Sequence, residues 1–486
     1  MLLLATGLAG VCGTATPAWA QFGAGGGAGG GAGGGGAGGG GAGGGGAGGG
    51  AAGGAGRGGI LIDPQGVLRI DARGAMRTQG GQDALAAERK RAAIARLPGD
   101  LQAPSPLRKV ALSRLEAELH AQPGRVPEAV ERLAGLTRVQ YVFVYPAADG
   151  QPGDVVLAGP AEPWIEDAAG RVVGTQTGSP TLLLADLAVA LRTFAPGHPQ
   201  DRVIGCSIDP RPEGLAAMQT FLKSLGRVNP QASADQIVAG LAESLGPQKV
   251  SVDGVSPATH FAQVLVEADY RMKLIGIGLE PAPVKMTTWI DLASGAAVAA
   301  NALQRWYFVP DYRCIRIADD DLAIELVGRG VKLCGADEVV LPDGRRMDAN
   351  RADKASKAFT ETFTKKYPEI AARHPVYAQL RNLIDLAVAA AYMQEHDAYG
   401  KAGWAAETLR DESRYAIEKY TPPTQVAPAI NAVWRGSKLL TPIGGGVTIH
   451  PRMALDQPNL IADDKGDVKS ARDAAAKLPA GRWWWD

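Results

Sequence analysis

Between residues 139 and 279 the chain switches repeatedly between two patterns. One is a run of apolar, often β-branched residues; the other has apolar residues recurring every three or four positions. The run Val139-Gln140-Tyr141-Val142-Phe143-Val144-Tyr145 is almost continuously apolar, which predicts a strand buried on both faces. Segments 154–158 and 171–174 predict its neighbours, and 202–208 and 250–252 predict further strands. Helices are predicted over 180–195, 212–225 and 233–245. Strands alternating with helices indicate an α/β layer fold.

The helical pattern near the middle of the chain covers 256–279. Ser256 is placed to cap the first turn, and Pro257 suits the first helical position. Phe261, Val264, Leu265, Ala268, Met272 and Ile275 fall on one face. Glu267 precedes Arg271 by four residues and Asp269 precedes Lys273 by four, each pair in the favourable acid-first order. The leading reading is a half-buried helix whose charged pairs line a solvated face. The sharper alternative gathers His260, Glu267, Asp269 and Arg271 into a polar site.

Upstream, 60–71 alternates about Asp63-Pro64-Gln65-Gly66 and predicts a β-hairpin. Helices are predicted at 82–96, 106–121 and 126–135. Downstream, 285–292 reads as a strand and 306–340 as an antiparallel meander. Residues 353–396 read as helical with breaks near Pro368 and Pro375, since proline lacks a donor and clashes with the preceding turn. Strand patterns return over 421–456. The expected organisation is an α/β domain over 60–280, then a β meander with helices over 281–460, either separate from the first or continuous with it. Together they form a mixed α/β (α+β) fold, and a polar tail follows over 461–486.

The first 59 residues change the address of the protein. Residues 2–17 are small or apolar and end in Ala18-Trp19-Ala20, the form of a secretory signal cleaved before Gln21, although no Lys or Arg precedes the apolar run. Residues 21–59 carry 27 of the 65 glycines. Such a segment buries too little surface to offset its ordering entropy and is expected to be a flexible tether. No other stretch reaches the ~18 apolar residues of a membrane span. The expected location is therefore periplasmic, cell-envelope or extracellular.

Charge excludes one partner class. Lys plus Arg and Asp plus Glu are both 50, so the footprint of a general nucleic-acid binder is missing. Beyond residue 20 the cysteines are Cys206, Cys314 and Cys334. Cys314 and Cys334 fall 20 residues apart in the expected meander and are the expected disulfide pair.

Candidate chemistry is sparse. The chain has no G-x-S-x-G, Walker or H-E-x-x-H motif, and its six histidines are scattered, so no metal site or cofactor is expected. Cys206 and Ser207 sit at the end of a predicted strand, where α/β sheets often bind ligands. Either is a candidate nucleophile, against the simpler reading of a buried thiol. Asp319-Asp320-Asp321 reads as a polar turn more readily than as a calcium loop. Trp483-Trp484-Trp485 either docks on the domain or stacks on polysaccharide at the cell envelope, docking being favoured. Gly58–Pro64 and Gly445–Pro451 echo each other, which predicts that Ile60–Ile62 and 447–449 share a sheet, with Leu61 and Thr448 facing outward.

Three stretches together resemble a known family. They are Cys206-Ser207-Ile208-Asp209-Pro210 with Glu213-Gly214-Leu215, Ala268-Asp269-Tyr270-Arg271-Met272-Lys273, and Gly444-Gly445-Gly446-Val447. They are similar to an uncharacterised domain family in secreted planctomycete proteins, with the likeness running over about 60–460. The resemblance implies export and brings no reaction, ligand or catalytic residue. The sequence thus points to a non-catalytic binding or scaffolding module. The alternative is a hydrolase of unrecognised type using Cys206 or Ser207.

Overall fold

Two large sheets organise the computed structural model. It describes residues 60–486 apart from 64, 71–83, 122–125, 149, 151, 168, 226–233, 294–301, 341–345, 349–353, 432–433, 436–437, 440–443, 478 and 480. The expected leader and Gly-rich tether lie outside the described residues. The mixed α/β class holds.

The nine-stranded sheet runs in the order Ile60–Ile62, Val67–Ile70, Gln425–Val426, Gln248–Asp253, Ile204–Asp209, Gly444–Ile449, Ala302–Pro310, Val331–Val340 and Arg346–Asp348. Most neighbours are antiparallel. Gly444–Ile449 runs parallel to Ala302–Pro310 and antiparallel to Ile204–Asp209. The seven-stranded sheet runs Ile461–Ala462, Ile315–Ile317, Ala323–Leu326, Tyr141–Tyr145, Asp154–Ala161, Ser105–Ala111 and Trp484–Trp485. Both sheets draw strands from either side of residue 280.

Several expectations are met in detail. Tyr141–Tyr145 is the middle strand of its sheet, with Val142, Phe143 and Val144 all buried. The 60–70 hairpin forms, and the Asp63 carboxylate accepts from the backbone N–H groups of Gln65 and Val67. Ile60, Ile62, Val447 and Ile449 are buried while Leu61 is exposed and Thr448 partly so. The two echoing segments share a sheet without pairing, since four strands separate them.

Other expectations fail for physical reasons. Residues 105–111 form a strand, and the helix starts only at Leu112. Sheet pairing with Asp154–Ala161 overrides the local helical pattern. The Val172–Gly174 strand pairs with Trp164–Glu166, not with the central strand. The 285–292 segment yields a short helix, Trp289–Leu292, opened by a Thr288–Asp291 capping box. Pro368 does not break its helix, which runs from Lys354 to Arg373 with Phe359, Phe363, Tyr367 and Ile370 fully buried. Packing of an apolar face supplies more than propensity does. Pro375 does start a new helix, Pro375–Glu395, at its first turn.

The expected meander divides between the sheets, and this removes the expected disulfide. Cys314 is buried just ahead of Ile315–Ile317 in one sheet, and Cys334 lies in Val331–Val340 of the other. Both are present as thiols, not as a bridge. The expected pairing rests on both cysteines lying in one meander, and the crossover between sheets undoes that premise.

Candidate functional site

The helix His260–Gly276 packs between the nine-stranded sheet and two further helices. Thr259 caps it, its hydroxyl accepting from the Ala262 N–H, so the start lies three residues beyond the expected cap at Ser256. Every residue of the helix but Leu274 is buried. The solvated face expected for its charged pairs does not exist. One side of the helix meets the nine-stranded sheet at Ile204–Asp209 and Gly444–Ile449, and the other meets the helices Leu184–Thr193 and Pro375–Glu395.

On the helix-packed side, buried polar groups link in a chain. The Glu267 carboxylate accepts from Arg171 at 2.6 Å and from Arg271 at 2.7 Å. Arg271 also donates to both Glu280 oxygens at 3.1 Å. Arg171 Nε donates to Gln379 Oε1 at 3.1 Å, so the other end of that amide is a donor, and it faces His260 Nε2 at 3.3 Å. His260 must then accept at Nε2 and donate from Nδ1–H to Asp186 at 2.9 Å. One arginine thus sets the tautomer of a histidine two partners away. His374 stands 3.6 Å from Glu280, too long for a good hydrogen bond. Burial holds its imidazole below the usual histidine range, and the Arg271 charge adds to that.

Asp269 and Lys273 project to the opposite side, two positions round the helix from Glu267 and Arg271. Lys273 Nζ donates to Asp269 at 2.8 Å and reaches the Ile208 carbonyl at 3.4 Å. Both side chains are essentially unexposed. Burial pushes the Asp269 carboxyl above its ordinary range, against the pull of Lys273. Gly445 explains itself here: a Cβ at that position would run into Lys273 Cε and the Trp306 carbonyl. The glycine run is where the sheet lets this charged pair approach.

The three stretches quoted for the resemblance therefore meet in space. Cys206 pairs with Val447 across the strands, and Gly446 with Ser207, while Asp269 and Lys273 lie against them. Of the sequence-level polar cluster, His260, Glu267 and Arg271 belong to the helix-packed chain; Asp269 belongs to the other side. Asp186, Arg171, Gln379, Glu280 and His374 escaped sequence reasoning. Only Asp186 carried a signal, as a lone carboxylate inside the apolar run Leu182–Leu191.

The nucleophile reading loses its premise. Cys206 and Ser207 are the third and fourth residues of the six-residue strand Ile204–Asp209, between antiparallel neighbours, not at a strand end. Both are buried. Burial raises the Cys206 thiol well above its ordinary range, and Asp269 raises it further, outweighing Lys273. A nucleophilic cysteine needs the opposite environment.

Elsewhere, the tryptophan tail docks. Trp484 and Trp485 pair with Val110 and Lys109 and are buried. Buried Arg108 binds Asp486 at 2.7 and 3.0 Å and stacks on Trp484. Asp320 in the acidic turn pairs with Arg472 at 2.7 Å. Among the described residues no cluster of three or more His, Cys, Asp or Glu is placed to hold a metal, and no helix is long and apolar enough to cross a membrane.

Fold and site together define a mixed α/β protein assembled around one buried, charged helix. A family model described as a protein of unknown function (DUF1598) matches residues 206–289. No curated protein and no solved structure matches the chain. The matched span runs from Cys206 to Trp289, so it includes the antiparallel strands Ile204–Asp209 (from its third residue) and Gln248–Asp253 and the whole central helix. It stops well before Gly444–Val447.

Proposed function

We propose that the chain is an exported, non-catalytic binding or scaffolding module of the cell envelope or extracellular space, carried on its Gly-rich segment. The observation that carries this reading is the internal pairing along the central helix. Arg171, Arg271, Glu267 and Glu280 neutralise one another in the core, and Lys273 and Asp269 do the same. Groups held this way organise packing and are not presented to a substrate. The residues 1–59, with their leader-like and tether-like composition, support export. Burial of Cys206 supports a thiol that packs as a small hydrophobe.

Expression of the full chain followed by cell fractionation and intact-mass analysis tests export. The expected product begins at Gln21 and lies outside the cytosol. A cytosolic chain retaining residues 1–20 rejects export. Iodoacetamide labelling with peptide mapping tests the absence of a reactive nucleophile: Cys206 should stay unmodified until the chain is unfolded in urea. Rapid native labelling at Cys206 rejects the non-catalytic reading.

A further inference from the structure

One small cavity touches the charged chain. It measures about 10 Å³, and Thr181, Asp186, His260, Gln379 and Asn382 line it together with leucines. Two of its lining residues carry a buried oxygen with no protein hydrogen-bond partner among the described residues: Thr181 Oγ1 and Asn382 Oδ1. The orientation of Asn382 is fixed, because its Nδ2 donates to the Thr137 carbonyl at 3.1 Å. Its Oδ1 is therefore an acceptor in need of a donor. The His260 ring is also fixed, with Nε2 accepting from Gln379 and Nδ1 donating to Asp186.

We infer that this cavity is a binding site for a single water molecule, which ties the Asp186–His260 pair to Thr181 and Asn382. The chemistry balances. A water donates one hydrogen to Asn382 Oδ1, accepts the Thr181 hydroxyl hydrogen, and has its second hydrogen for Asp186, an acceptor that also lines the cavity. Buried waters occupy polar spaces of roughly 10–15 Å³ and make two to four such bonds. The two orphaned atoms would otherwise forfeit the hydrogen bonds they make in the unfolded chain. The water would join three segments that the direct hydrogen bonds only partly connect: Thr181 precedes the helix Leu184–Thr193, Asn382 lies on Pro375–Glu395, and His260 opens the central helix.

A high-resolution crystal structure of the full chain tests the assignment, with the Thr181→Val variant as comparison. One solvent peak is expected within about 2.6–3.2 Å of both Thr181 Oγ1 and Asn382 Oδ1, and the peak should disappear or lose occupancy in Thr181→Val, whose shape is nearly unchanged. Should the variant not fold, the native peak decides alone. An apolar, unoccupied cavity overturns the inference, as does rotation of Thr181 or Asn382 onto a protein partner. A peak with five or more oxygen neighbours near ~2.4 Å identifies a cation and also overturns it.

Discussion

On the helix-packed side of His260–Gly276, Glu267 takes two guanidinium groups, from Arg171 at 2.6 Å and Arg271 at 2.7 Å, and the chain continues to Glu280. On the sheet side Asp269 is bonded to Lys273 at 2.8 Å, its Oδ1 has no hydrogen-bond partner among the described residues, and the Asp209–Arg305 pair acts on it only through its field. The same helix thus holds buried charge in a network on one side and in an isolated pair on the other. The difference follows from what faces each side. Helix-borne and loop-borne side chains can reach inward from several segments, whereas a sheet offers mainly backbone, here the Ile208 carbonyl and the bare surface of Gly445. A network member should be costly to delete because it orphans several charges. A pair should be replaceable as a unit.

The largest effect is expected at Glu267. Glu267→Ala strips one carboxylate from two buried arginines, so the loss should reach or exceed the upper end of the ~3–5 kcal/mol typical for breaking a buried pair. Urea unfolding of native and variant chains measures it. A loss smaller than that of Lys273→Met would break the contrast between the two sides.

The isolated pair should be asymmetric. Asp269→Leu leaves the Lys273 ammonium with only a 3.4 Å carbonyl, a cost of about 3–5 kcal/mol. Lys273→Met leaves a carboxyl already pushed upward by burial. That group can take a proton, so about 1–3 kcal/mol is expected. The double variant Asp269→Leu/Lys273→Met should recover most of the loss, because no charge is left uncompensated. A double variant as unstable as the sum of the singles would mean that the pair does more than balance its own charges.

How much of this was legible depends on where each partner lies. The i, i+4 spacings gave Glu267–Arg271 and Asp269–Lys273 correctly as pairs, since helical geometry alone brings them together. Their burial was not legible, because a charge row looks the same whether water or protein faces it. Arg171, Glu280 and Gln379 come from distant segments and carry no local signature. The strand at Tyr141–Tyr145 was legible from composition; the strand at Ser105–Ala111 was not, because its pairing with Asp154–Ala161 is a tertiary choice. Cys314 and Cys334 show the same limit: their spacing in sequence says nothing of a crossover between two sheets.

Acidity separates the two sides with the smallest effect. His374 lies at the network end with Glu280, Arg271 and Glu267 as its charged neighbours and the Tyr377 ring beside it. Burial depresses its folded-state pKa below the unfolded value near 6.5. A depressed histidine contributes stability that is full above about pH 6.5 and is lost as pH falls from there toward the folded value, because only the unfolded chain binds the proton. Asp269 has the opposite sign: its carboxyl is raised, so the stability it contributes is present below about pH 3.9 and is lost as pH rises through the folded value. Lowering the pH from 7 to 5.5 should therefore weaken the chain through the network side. The slope from one proton is at most about 1.4 kcal/mol per pH unit. Urea midpoints across that range, for the native chain and for His374→Gln, check it. The variant should show a shallower dependence than the native chain. Equal slopes would remove His374 as the source, and a native chain that gains stability on acidification would mean that the carboxyls raised by burial, Asp269, Asp154, Asp385 and Glu395, outweigh it.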